Sequence, residues 1–156
     1  MNIRINSILK AQDIYHIHVQ GCLKKCEKCY DCFDSDAISV RPMYGGSKDD
    51  TEHIKKDIAT TDGIMIVRLA GGEPFLQPQA CIEIASWARR RGYKVVCESG
   101  YTFDEIMEWE DNRRVLLENI DILEACPFCT DKKFGGEFMV DVQERLKKVR
   151  ESEEAV

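Results

Sequence analysis

The stretch "IMIVRLAGGEPFLQPQACIEIASWARRRGYKVVCESG", Ile64 to Gly100, reads as a strand, a glycine turn, a helix and a second strand. "IMIVRLAGG" is a β-branched apolar run closed by paired glycines, the pattern of a strand in a buried parallel sheet. "PQACIEIASWARRRGY" carries apolar residues at helical spacing, with arginines in its last turn and a glycine beyond them. "KVVCESG" then returns to strand character. Strand, crossover helix and strand in that order make a parallel βαβ unit, and strand twist makes the crossover right-handed.

Working outward, the same alternation continues on both sides. "IYHIHVQGC" (Ile14 to Cys22) alternates apolar and polar residues into a glycine, which predicts a strand entering a loop. "TEHIKKDIATTDG" predicts a helix that stops at Gly63. Downstream, "TFDEIMEWEDNRRVLLEN" reads as one helix with Thr102 as its N-cap, "IDILEA" as a strand, and "VDVQERLKKVRESEEAV" as a helix fraying into a charged tail. "SVRPMYGGSKDD" has the composition of a loop. The expected class is α/β. The units are too few for a closed eight-fold barrel, so the expectation is a partial, open β/α barrel of about five mainly parallel strands. It would form a single domain over residues 1–156, with a cysteine loop at 21–32 and a charged C-terminal helix and tail at 141–156.

A chain of 156 residues buries roughly 68–70% of its unfolded surface and needs no disulfides to hold together. Its eight cysteines therefore call for another explanation. No apolar leader with a cleavage site and no run of membrane-spanning length is evident, which predicts a cytoplasmic protein. In a reducing compartment clustered cysteines serve as metal ligands or redox groups more often than as disulfides. The formal net charge of −6 argues against nucleic acid or an anionic membrane as partner.

Four of those cysteines fall in "GCLKKCEKCYDC", directly after the predicted first strand. Cys22, Cys26 and Cys29 have the spacing C-x3-C-x2-C, which lets three thiolates from one loop converge. Four ligands close a metal site, whereas three on a cubane iron-sulfur cluster leave one iron open to a substrate. Zinc held with Cys32 as a fourth ligand competes on spacing alone. The second motif tips the balance. Gly71, Gly72, Glu73 and Pro74 end the next strand, where paired glycines permit close approach to the backbone and carbonyls can accept from an ammonium group. The predicted strand ends deliver the cysteine loop, "RLAGGEP", "CESGYT" and "LEACPFC" to one face.

With these motifs in that order, the sequence resembles radical S-adenosylmethionine enzymes, and most closely the short activating proteins of anaerobic ribonucleotide reductase. "VQGCLKKCEKC" is similar to that family's cluster loop, "LAGGEPFLQ" to its methionine-binding segment, "ESGYTFDEI" to its glycine-tyrosine-threonine turn, and "IDILEACPF" to its next strand, over Val19 to Phe128. The resemblance implies a [4Fe-4S] cluster on Cys22, Cys26 and Cys29, and S-adenosylmethionine as cofactor. It implies that the Gly71–Pro74 backbone holds the methionine amino group and that Ser99 and the Gly100 turn add contacts to methionine or ribose. It further implies a 5′-deoxyadenosyl radical that removes hydrogen from a glycine of a large glycyl-radical enzyme, with flavodoxin or ferredoxin as electron donor.

Departures from the family pattern are specific. Lys28 stands where an aromatic residue commonly packs near the adenine. "LKAQDIYHIHVQGC" replaces a glycine-proline-glycine-x-arginine element, and Ala125 and Cys126 replace an aspartate-glycine pair. An addition is "CPFC", whose Cys126 and Cys129, with Cys32 and Cys97, could bind zinc or a second cluster, form a redox dithiol or simply be buried. Arg68, Glu98 and Glu124 at strand ends read as a salt-bridge set or as charges facing a zwitterionic ligand. His16 and His18 read as strand residues on one face, and Phe75 and Cys81 as core. Two other functions stay open: radical chemistry on a peptide or a small heterocycle, and a non-catalytic zinc or iron-sulfur interaction protein.

Overall fold

The computed structural model describes residues 1–21, 47–125 and 139–155. They form one mixed sheet with strands in the order β3-β1-β2-β4-β5-β6-β7. The strands are β1 (Asn2–Ala11), β2 (Ile14–Val19), β3 (Ser47–Asp50), β4 (Ile66–Gly71), β5 (Lys94–Ser99), β6 (Ile122–Ala125) and β7 (Met139–Asp141). The central four, β2, β4, β5 and β6, run parallel. The α/β class and the parallel centre agree with the sequence, but the sheet has seven strands rather than about five, and its ends, β3 and β7, do not pair to close a barrel. The additional strands all run antiparallel to their neighbours. Each is short or half exposed, so it carries a weaker apolar signal than a strand buried in the middle of a sheet.

Among the described residues four helices connect these strands, α1 (Thr51–Thr60), α2 (Pro78–Arg90), α3 (Phe103–Met107) and α4 (Asn112–Glu118), and a fifth, α5 (Val142–Glu154), follows β7. None of the described helices is long and apolar enough to cross a membrane. They pack in a row, α1 on α2, α2 on α4 and α4 on α5, over one face of the sheet. Tyr15, Ile17, Val19, Val67, Leu69, Val95, Cys97 and Leu123 point into that layer and meet Ile54, Ile58, Ile84, Ala85, Leu116, Leu117 and Leu146 from the helices. Successive strand residues point to opposite faces, so His16, His18, Arg68, Val96, Glu98 and Glu124 share the other, which no described helix covers.

Two local readings are corrected. The stretch after Thr102 is two helices, not one. Thr102 does cap α3, its hydroxyl accepting from Glu105 N at 3.1 Å. Asp111 then caps α4 by accepting from Arg113 N at 3.0 Å. Between them Trp109 turns inward, edge-on to Tyr101 at 4.8 Å and 6.1 Å from Phe75, with the Arg113 guanidinium 3.9 Å from its ring. A straight helix would not place that indole there. The other correction is at the end of "SVRPMYGGSKDD", where Ser47–Asp50 is an edge strand on β1 and Asp50 caps α1 by accepting from Glu52 N at 2.8 Å.

The one-sided core makes a direct prediction. Ile17→Ala, at a fully buried position, should cost about 2–5 kcal/mol in urea unfolding. Leu9→Ala, on the uncovered face with Leu9 53% exposed, should stay within about 0.5 kcal/mol. Similar losses at both would mean that the uncovered face is packed as tightly as the helix layer.

Candidate cofactor site at the strand ends

The site grows from the end of β2, where Gln20 and Gly21 lead into the cysteine loop. Four bonds fix this root. Gln20 N donates to Arg4 O at 3.1 Å, Gly72 N to Val19 O at 2.9 Å, and Glu73 N to Gly21 O at 2.6 Å. The Gln77 amide donates to Gln20 O at 3.2 Å; it also donates to Arg4 O at 2.9 Å and accepts from Arg4 N at 2.8 Å. The turn after β4 is thus fastened to the base of the loop that carries Cys22.

This fastening explains the double glycine. Gly71 has φ +91°, and a Cβ there would lie 2.8 Å from His18 Cα and Val19 N. A Cβ on Gly72 would overlap the Gly21 carbonyl. Close approach is required here, and what approaches is the neighbouring strand end. The Gly72 and Glu73 N–H groups are turned to the loop root and so are not offered to a ligand.

Glu73 performs a different task from the backbone around it. Its side chain is buried at the N-terminus of a 3-10 turn (Pro74–Leu76) and accepts from Phe75 N at 3.1 Å. Ser99 Oγ, 3.0 Å from both carboxylate oxygens, donates to it, as does Gly100 N at 2.6 Å. Ser99 Oγ in turn accepts from Tyr101 N at 3.0 Å. A buried carboxylate is costly unless hydrogen-bonded, and here its partners are the turns after β4 and after β5. Glu73 therefore locks the glycine turn to the Ser99–Gly100 turn. Pro74 presets the turn, and Phe75 is core, 1% exposed.

Below these turns lies a charged row on the helix-free face. Arg68 Nη2 donates to Glu98 Oε2 at 2.6 Å and to Glu124 Oε2 at 2.8 Å, and Arg68 Nε donates to Glu124 Oε1 at 3.3 Å. Burial works against the Arg68 charge, but Glu124 and Glu98 outweigh it and hold its pKa above the ordinary value. His16 pairs laterally with Arg68, and its ring lies 6.0 Å from that of His18. Burial, then Arg68 and His18, push its pKa below the usual histidine value.

Of the residues singled out in the sequence, Gly71, Gly72, Glu73, Pro74, Ser99 and Gly100 converge at the ends of β4 and β5. Cys22, Cys26, Lys28, Cys29, Cys32, Cys126 and Cys129 lie outside the described residues. Cys97 is fully buried in the layer between sheet and helices, where its thiol donates to Glu98 O at 3.6 Å. That separates it from the helix-free face. Gln77 and Trp109 had no assigned role in the sequence; Gln77 was visible only as the last letter of "LAGGEPFLQ", and nothing short of the fold pairs it with Arg4.

Comparison with known proteins supplies the family. The family described as "4Fe-4S single cluster domain" matches residues 14–153. A protein of Methanocaldococcus jannaschii, named there as a candidate glycyl-radical enzyme activating enzyme, is 32% identical over 119 residues, 76% of this chain. The matched region is 45% of that protein, so the chain spans less than half of its relative's length. Both findings bear out the resemblance to radical S-adenosylmethionine activating proteins.

The tie at Glu73 is testable. Glu73→Gln removes a buried charge yet turns one acceptor into a donor facing other donors, and should lower unfolding free energy by about 1–3 kcal/mol. An unchanged urea midpoint would show that the two turns hold without it. Gly72→Ala should destabilise by more than Gly63→Ala, because Gly63 has φ +79° but nothing within 4 Å of an added Cβ.

Proposed function

The chain belongs to the 4Fe-4S single cluster domain family, and on that premise we propose that it is a radical S-adenosylmethionine enzyme of the glycyl-radical activating type. Cys22, Cys26 and Cys29 hold the [4Fe-4S] cluster, and the turn at Gly71–Pro74 receives the methionine end of S-adenosylmethionine. The bond from Glu73 N to Gly21 O carries this reading, because it joins the base of the cysteine loop to the turn assigned to the cofactor. A cofactor held by both the cysteine loop and the turn would need those two segments side by side.

The donor set fits the groups. Three cysteines on one short loop leave a cubane iron open, and the carbonyl oxygens of a turn whose N–H groups are already used suit an ammonium group better than a carboxylate. When bound, the reduced cluster supplies the electron that breaks the sulfonium bond, giving a 5′-deoxyadenosyl radical able to take hydrogen from a glycine of a protein partner. Glu73 fixes the turn, and Ser99 and Gly100, held by it, would add contacts to the methionine or ribose of the cofactor. A low-potential one-electron donor such as flavodoxin or ferredoxin completes the cycle. The relative's name supports a large glycyl-radical enzyme as the substrate.

Paramagnetic resonance tests this reading. The anaerobically reconstituted, dithionite-reduced protein should give a reduced cubane signal that changes when S-adenosylmethionine is added. Cys26→Ala should abolish cofactor cleavage, whereas Cys81→Ala, in the apolar layer, should leave it intact. A signal indifferent to the cofactor, a colourless zinc protein, or equal loss in both variants overturns the proposal.

A further inference from the structure

Gln77 occupies the N-cap position of α2, yet its side chain makes no capping bond there. It reaches instead to β1 and to the end of β2. A hydrogen-bonded pair in a regular antiparallel ladder exchanges two backbone bonds. At Arg4 and Gln20 one of them is present, with Gln20 N donating to Arg4 O at 3.1 Å. Where the reciprocal bond would run, the Gln77 amide stands between the two groups: Arg4 N donates to its Oε1 at 2.8 Å, and its Nε2 donates to Gln20 O at 3.2 Å. The second hydrogen on Nε2 goes to Arg4 O at 2.9 Å. Reversing the amide would set donor against donor at Arg4 N and acceptor against two carbonyls, so one orientation fits.

We propose that Gln77 is a positioning residue for the cluster, its amide acting as a wedge between Arg4 and Gln20 that fixes where β2 releases the cysteine loop and keeps the root of that loop against the Gly71–Pro74 turn. This deepens the activating-enzyme reading and rests on it for what the loop carries, but not for the wedge itself.

The wedge acts at the point where direction is decided. Gln20 is the first residue past β2, and Gly21 follows it with φ +92° and accepts from Glu73 N at 2.6 Å. An apolar side chain of the same length at position 77 would leave Arg4 N–H and Gln20 C=O able to pair directly and close the ladder. β2 would then stay on β1 for one residue more, and the Gly21 carbonyl would be drawn toward β1 and away from Glu73 N. Gln77 and Glu73 belong to the same short segment, so that segment both opens the sheet and takes hold of the chain it releases. A second glutamine supplies the comparison. Gln143 Nε2 donates to Glu118 O at 3.1 Å and to Ile120 O at 2.8 Å, the same kind of bond made at the opposite ends of the parallel strands.

The experiment uses the full chain, first free of iron and then reconstituted anaerobically, as the unaltered protein and as Gln77→Met, Gln77→Glu and Gln143→Met. Amide hydrogen exchange of the iron-free chain reads the wedge directly. Gln77→Met should speed exchange at Gly72 and Glu73 about tenfold relative to amides in the middle of β4 and β5. Gln77→Glu, which keeps the acceptor for Arg4 N but turns an oxygen on the two carbonyls, should do at least as much and serves alone if Gln77→Met does not fold. In the reconstituted protein the change in the reduced cubane signal is titrated with S-adenosylmethionine. Both Gln77 variants should keep their iron content and bind the cofactor about tenfold more weakly. Gln143→Met should lower the urea midpoint while leaving exchange at Gly72 and Glu73 and cofactor affinity unchanged. Wild-type exchange at these two amides or wild-type cofactor affinity in the Gln77 variants, or an equal loss of affinity in Gln143→Met, overturns the proposal. An unaltered protein whose signal ignores the cofactor removes the radical-enzyme reading, and exchange in the iron-free chain then still decides the wedge.

Discussion

The bond from Glu73 N to Gly21 O is the contact on which the site depends. It can form only if two backbone segments meet with no side chain between them, and that requirement falls on Gly71, Gly72 and Gly21 together. Gly21 and Gly71 both adopt positive φ, at +92° and +91°. Gly72 has no positive φ to accommodate, only a carbonyl pressed against it. A methyl group at Gly71 or Gly72 would push the turn away from the end of β2, and one at Gly21 would strain its positive φ. The glycine pair is thus selected by protein-protein packing before any ligand arrives, and the space it gives a cofactor follows from that packing.

The second constraint is the one-sided sheet. With all described helices on one face, the apolar layer uses every other residue of β2, β4, β5 and β6, and the intervening residues are free to be polar. They are not scattered at random. Arg68, Glu98 and Glu124 come from three adjacent strands, and the arginine reaches across β5 to bind both carboxylates. A buried arginine would be expensive without such partners, and the glutamates would repel one another without it. The network is self-consistent as a structural element.

Much of this was legible in the sequence, and the limits have physical causes. The parallel centre was readable because its strands are buried on the helix side and because β4 and β5 are apolar runs that end in glycine and serine. The edge strands β3 and β7 are three or four residues long, below the length at which a period of two stands out. The break between α3 and α4 was hidden because "TFDEIMEWEDNRRVLLEN" has acceptable helical spacing throughout. What overrides it is tertiary: Trp109 gains more by packing on Tyr101 and Phe75 than by continuing the helix. The motif placed Glu73 at the turn, but the partners of its carboxylate, Ser99 and Gly100 on the next strand's turn, become visible only in the fold.

The cysteines divide by the same logic. Burial pushes the Cys81 thiol up to about 12, and burial together with Cys81 and Glu73 raises that of Cys97 well above its ordinary value. Metals bind thiolate, so these two sulfurs are held in the form least able to ligate. The carboxylate of Glu73 contributes to both shifts, which gives it a second consequence: the group that fixes the glycine turn also keeps the core thiols protonated. Cys81 and Cys97 are thus withheld from iron offered to the folded chain. Location, rather than the number of cysteines, decides which sulfurs are available to a cluster.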